Sequence, residues 1–289
     1  MGLRLKFNLV LLVVFVLGLG VTGYISYDLL HKNAREEVVR NAGVMMEAAL
    51  SMRGYTVAQV RPLLPYDPET FHPQSVPAYA ATAIMDQLRK KYSDYTYKEA
   101  ALNPTNPRNR AVDWETDVVN SFRNNTELKE VSGTRETPTG PSLYLARPFQ
   151  IKDKACLACH TTADMAPAAM VKIYGPNNGF GWKHMEVIGA QIVSVPMALP
   201  ILNANRAFFT FMASLSAVFV ALFVILNIMM SVLIVRPVTS MSKAADEIST
   251  GNMEIPEFSE TGGDEMALLR KSFNRMRRSL EKAIELIEK

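Results

Sequence analysis

The sequence predicts an α+β fold in which two membrane-crossing helices flank a mixed helix-and-sheet domain, followed by an α-helical tail. Three observations predict it. No charged residue occurs from Phe7 to Tyr27 or from Ala207 to Val235. The stretch between these runs mixes helical periodicity with strand-like segments such as "VIGAQIVSVPM". After Arg236, apolar residues recur at three-four spacing in two blocks. A helix crosses the hydrocarbon core of a bilayer with about 20 apolar residues, so both uncharged runs suffice.

The N-terminal run has two readings. Arg4 and Lys6 could form the basic flank of a cleaved signal peptide, but the run is longer than such a core and no A-x-A site follows, which favours an uncleaved anchor. The chain then divides into a cytoplasmic stub (1–6), a first span (7–29), a domain over 30–206, a second span (207–235) and a tail (236–289). Within the domain, a helix is expected over 30–61 and the core over about 52–200. Arg4 and Lys6 favour a cytoplasmic N-terminus, although Lys32 and Arg35 beyond the span weaken that bias. With 289 residues, a net charge of +3 and no long Lys/Arg run, the chain carries no footprint of nucleic-acid binding.

Helical spacing continues out of the first run. Ala34, Val38, Ala42, Met45, Ala49, Met52 and Thr56 form a soft heptad seam, which fits either packing on the chain's own domain or a dimer contact. Pro62 and Pro65 end it, opening the proline-punctuated "LLPYDPETFHPQSVPAY". A helix follows from about Ala78 to Lys91, and "YTYKEAAL" and "SLYLARPFQI" read as strands. "NPTNPRNR" is turn-rich, because each proline disfavours helix in the residue before it. "DWETDVVNSFRNN" is a short amphipathic helix, "YGPNNGFGW" a glycine-rich turn and "VIGAQIVSVPM" the strongest strand. Helices packed on a small antiparallel sheet result, with "CLACH" just after a strand and just before the last hairpin.

Both cysteines of the chain, and one of its four histidines, lie in "DKACLACHTT". A zinc site would need four ligands, and His31, His72 and His184 show no paired spacing. A disulfide between residues three apart closes a very small loop and stabilises little. A redox dithiol normally lacks an adjoining histidine. C-x-x-C-H reads instead as covalent attachment of one c-type haem. Cys156 and Cys159 lie on one side of a helical turn, within reach of the two vinyl groups, and His160 reaches the iron as proximal ligand. Such attachment belongs outside the bacterial inner membrane, which makes the domain periplasmic and both termini cytoplasmic. The absence of other thiols suits an oxidising compartment.

"MRGYTVAQVRPLL", "SVPAYAATAIMDQLR", "YTYKEAALNPTNPRNRA", "CLACH" and "YGPNNGFGWK" followed by "EVIGAQIVSVPM" resemble the periplasmic single-haem c-type sensor domain family over about Met52 to Met197. The resemblance implies a PAS-like α+β sensor, thioether roles for Cys156 and Cys159, and proximal ligation by His160. Some similar proteins place a cysteine thiolate on the iron, an option closed here because both cysteines form thioethers. Sixth-ligand candidates are Tyr79, Met85, His72 and His184; a water or an empty position is the alternative and would admit a small gas. Tyr79, Trp182, Arg108 and Arg110 are pocket candidates, with pocket wall, core tryptophan and solvated loop arginines as the plainer readings.

In the tail, Val238, Met241, Ala245 and Ile248 give one seam, and Met266, Leu269, Phe273, Met276, Leu280, Ala283 and Ile287 a second. A glycine-containing connector joins them, which suits a parallel four-helix bundle in a dimer. With Pro237, Glu247, Gly251 and Asp264–Glu265 ahead of "SFNRM", the segment resembles the HAMP signalling module; an amphipathic tail on the membrane surface is the plainer reading. The parts together imply an inner-membrane signal-transduction receptor and not an enzyme. It senses redox state or a small diatomic ligand through the haem, acts as a homodimer, and signals to an output that another cytoplasmic protein could supply. The alternative is a membrane-anchored monohaem electron carrier, to which a HAMP-like bundle adds nothing.

Overall fold

The computed structural model describes residues 2–64 and 69–287; Pro65 lies outside them, as does the side chain of Ile287. The chain forms two compact units, one of Tyr27–Ala207 and one of the segments before and after it.

The Tyr27–Ala207 unit is built on a four-stranded antiparallel sheet. Its strands are β1 (Thr96–Ala101), β2 (Val131–Thr137), β3 (Gly140–Gln150) and β4 (Val187–Pro196), in the order β1-β4-β3-β2. β4 is internal, and every residue from Val187 to Val195 is buried, which explains its near-continuous apolar sequence. Gly189 is required there: a Cβ would lie 2.3 Å from the Ala100 carbonyl of β1. β2 was not expected from the sequence. It is an edge strand with one face exposed, and Gly133, Arg135 and Glu136 hide its alternation.

Strand alternation gives the sheet two apolar faces. Leu143, Leu145, Val193 and Val195 meet α1 (Leu3–Tyr55) and α2 (Pro77–Arg89) through Val38, Ala42, Met45, Met46, Ala49, Ala81 and Met85. Ala100, Ala146, Ala190 and Ile192 meet α3 (Asp113–Asn124) through Val118, Val119 and Phe122. The seam along α1 is therefore buried by the chain's own domain, the first of its two readings. An ion pair fastens the same helix: Arg53 Nη1 lies 2.5 and 2.6 Å from the carboxylate oxygens of buried Glu99, which also accepts from the Tyr97 hydroxyl at 2.8 Å.

α1 passes without a break from the first apolar run into this unit and continues through a π-helical turn to a 3-10 turn ending at Leu63. The cysteine motif does not precede a final hairpin. It lies inside the β3–β4 connection, within α4 (Leu157–His160) and the 3-10 turn before it, with α5 (Ala168–Tyr174) following. The second long helix, α6 (Ala198–Met230), starts earlier than the expected span because Ala204 is buried and Ile201 packs on the core.

The other unit takes in part of each of two helices, Leu3–Leu63 and Ala198–Ser249, that are long and apolar enough to cross a membrane, and only 6% of each apolar window is buried, unlike the core helix of a soluble domain. Phe15 and Phe219 stack there, with ring centroids 4.8 Å apart. α6 leads through a π-helical turn into α7 (Arg236–Ser249), and a connector precedes α8 (Glu265–Ile287). Within one chain the two tail seams are only partly buried. In α7 the buried residues are Met241, Ala244 and Ile248, while Val238 is exposed. In α8, Ala267 and Asn274 are buried and Leu269, Met276 and Leu280 are exposed. The cause is the connector. Asn274 exchanges hydrogen bonds with the backbone of Phe258 at 2.8 and 3.1 Å, and Arg277 donates to the carbonyls of Met253 and Ile255.

Candidate cofactor-attachment site

The turn that carries the cysteines is set by its own sequence. Asp153 accepts a hydrogen bond from the Ala155 N–H at 2.8 Å, starting a 3-10 turn that runs directly into α4. Three residues apart on one turn, Cys156 and Cys159 share a side of it. Both are partly buried and not bonded to each other. Burial pushes both thiols up, and Asp153 adds to this at Cys156. Arg61 opposes the rise at both thiols, and Arg53 at Cys156. The net upward direction keeps them as neutral thiols, whereas reactive dithiols are found with lowered values in electropositive surroundings.

His160 is held more tightly than its neighbours. Its Nδ1 lies 2.7 Å from the Gly179 carbonyl oxygen and 3.4 Å from Thr105 Oγ1. A carbonyl can only accept, so Nδ1 carries the proton and Nε2 keeps its lone pair. The ring stacks on Trp182, with centroids 4.0 Å apart and planes 14° from parallel. The Trp182 N–H donates to the His160 carbonyl at 3.3 Å, and the Gly181 N–H to Thr161 at 2.9 Å. Burial pushes the imidazole's pKa down, partly opposed by the Gly179 bond, so the neutral form is favoured.

Two loops supply this clamp. Asn103 accepts from the Gly179 N–H at 3.2 Å and donates to the Phe180 carbonyl at 3.2 Å, while Arg110 donates to Asn178 at 2.9 Å. Gly179 has φ +82°, and a Cβ there would lie 2.1 Å from Thr105 Oγ1, so no other residue fits. The sequence marks both loops as turns but does not mark Asn103, Thr105 and Gly179 as positioning groups. The one signal for them was the pair Gly179 and Gly181 ahead of Trp182, which suggests positive φ.

The remaining candidates are dispersed. Arg108 lies over the Tyr79 ring at 5.8 Å and stands 3.8 Å from Asp86. Met85 is buried in the core between α1, α2 and the sheet. His72 is exposed, and its carbonyl accepts from Ser75. His184 is exposed, with Nε2 3.2 Å from the Lys152 carbonyl. No hydrogen bond, ion pair or ring contact among the described residues joins Tyr79, Met85, His72 or His184 to His160. No three His, Cys, Asp or Glu side chains converge as a metal-ion site among the described residues. The turn thus offers one neutral imidazole nitrogen and two neutral thiols on one side.

Comparison with known proteins places this arrangement in a family. Residues 31–196 match the Tll0287-like family, and residues 229–282 match the HAMP domain. Among solved structures, that of the cyanobacterial heme-protein Tll0287 is similar at 17% identity and a TM-score of 0.44, over 55% of this chain and 95% of that one. No curated protein matches the chain. The first match spans more than half of the residues, from the buried stripe of α1 through the cysteine turn to the end of β4. The chain belongs to the Tll0287-like family and carries a HAMP domain on the C-terminal side of its second apolar helix.

Proposed function

We propose that this protein is an inner-membrane sensor that holds one haem c in the Tyr27–Ala207 unit and signals through its HAMP domain. The observation that carries the reading is the His160 ring, whose Nδ1–H is tied to the Gly179 carbonyl so that Nε2 is the nitrogen left to bind iron. Metal-ligating histidines almost always donate their other N–H in this way. Cys156 and Cys159, held as neutral thiols, would anchor the group as thioethers, an addition of S–H to a vinyl group that would need no oxidant. Trp182 fixes the plane of the imidazole. Haem c supplies an iron whose oxidation state, or whose binding of a small ligand such as nitric oxide, carbon monoxide or oxygen, is the stimulus.

The Tyr27–Ala207 unit faces the periplasm and both termini lie in the cytoplasm. The segment that clamps His160 enters β4 a few residues after Trp182, and only Met197 separates β4 from α6. A displacement of the clamp therefore has a short covalent route to the second span, and from there to a bistable HAMP bundle. The protein acts as a homodimer in which the exposed stripe of α8 packs against its partner, and the bundle presents its state to a cytoplasmic output.

The test is a distance measurement between spin labels at Ser279→Cys in the reconstituted dimer, with the haem oxidised, reduced, and reduced under carbon monoxide. A change in spacing between any two states is expected. Identical spacing in all three would favour the electron-carrier reading, in which the iron works without moving the helices.

A further inference from the structure

The Tyr27–Ala207 unit has a second concave site, of about 380 Å³, lined by none of Cys156, Cys159, His160 or Trp182. It is lined from β1, β4 and β2 of the sheet, from α2, from the N-terminal turn of α3 and from the turn before it. Its size lies in the range of small-molecule pockets, about 300–1,000 Å³.

Its charges are unbalanced. Four cationic side chains line it (Arg89, Lys98, Arg108 and Arg135), against two carboxylates, Asp86 and Glu115. Lys98 and Glu115 satisfy each other at 2.6 Å, and Glu115 also accepts from the Val112 N–H at 3.0 Å. Arg108 reaches Asp86 only at 3.8 Å, with both groups exposed. Among the described residues, neither Arg89 nor Arg135 has a carboxylate within ion-pairing distance. Arg135 is nonetheless fixed in place, its guanidinium 4.5 Å from the centroid of the Trp114 ring. A planar guanidinium can match a carboxylate with two parallel N–H···O bonds. Trp114 and Ile192 add apolar wall for a short carbon chain, and the Thr82, Thr96 and Ser194 hydroxyls add polar contacts.

We infer that this cleft binds a small di- or tricarboxylate, with Arg135 and Arg89 taking its carboxylates. The surplus positive charge raises the local concentration of such anions. The site does not depend on haem, so its test stands or falls apart from the sensor reading.

The experiment is calorimetric titration of the full chain in detergent at low ionic strength with succinate, malate and citrate, and with inorganic phosphate as comparison. Arg135→Ala and Arg89→Ala are titrated alongside, and an unchanged denaturant midpoint by tryptophan fluorescence confirms that each variant is folded. Arg89 is exposed, so its removal leaves the core intact. Saturable binding of at least one carboxylate is expected, weakened about tenfold or more in each variant. Absence of saturable binding for all three acids overturns the inference, as does binding that survives both substitutions. Phosphate binding more tightly than every carboxylate, with the same arginine dependence, also overturns it.

Discussion

Along α1 the stripe Val38, Ala42, Met45 and Ala49 lies buried against the sheet, whereas along α8 Leu269, Met276 and Leu280 stand exposed. Both stripes have the same three-four spacing. The first belongs to a unit that satisfies itself: its apolar face meets β3 and β4, and Arg53 on the same helix finds Glu99 on β1. The second belongs to a tail whose polar connector takes one face of the helix through Asn274 and Arg277 and leaves the apolar one open. Periodicity thus tells that a face needs a partner, not which partner. A unit closed on itself should respond to mutation independently of protein concentration, and an open stripe should not.

The largest effect is expected from Arg53→Ala. It leaves Glu99, 2% exposed, without its cation, at a cost of about 3–5 kcal/mol to the Tyr27–Ala207 unit. Denaturant unfolding followed by the fluorescence of Trp114 and Trp182 measures it, and the loss should be the same at every protein concentration. Met46→Ala, on the buried face of α1, should cost about 2–5 kcal/mol, again without concentration dependence. Gly179→Ala adds a Cβ against Thr105 at a positive φ, and about 1–3 kcal/mol of strain is expected. It should also disturb the haem absorbance, because the carbonyl that orients His160 moves. Leu280→Glu should change the unit's stability by less than about 0.5 kcal/mol. It should instead weaken self-association, read by sedimentation across a concentration series. A large stability loss with unchanged association would reverse the contrast between the two stripes.

Those parts of the fold whose cause is local were legible in the sequence. The two long apolar helices follow from uncharged length, α3 from its amphipathic period, and β4 from a run that is apolar because both faces are covered. β2 was not legible, because its exposed face carries Ser132, Thr134 and Glu136 and its other face includes Gly133 and Arg135, so no apolar alternation shows. Met85 was a ligand candidate on chemistry alone; its burial among Ala81, Met46 and Val195 depends on how α2 lands on the sheet. At the candidate site, the roles expected for Cys156, Cys159 and His160 rest on their spacing, and the fold sets all three on one turn. The protonation of His160 was not, since its cause lies in Gly179 and Thr105, which reach the ring through the fold.

The central claim is covalent attachment of haem at the Cys156–His160 turn, and acidified-acetone extraction of the purified chain, made in cells that mature c-type haem, tests it most directly. The account predicts one haem per chain that stays with the denatured polypeptide, and that becomes extractable or absent in Cys156→Ser/Cys159→Ser. A native chain that releases its porphyrin into the solvent, or that never acquires any, would contradict it.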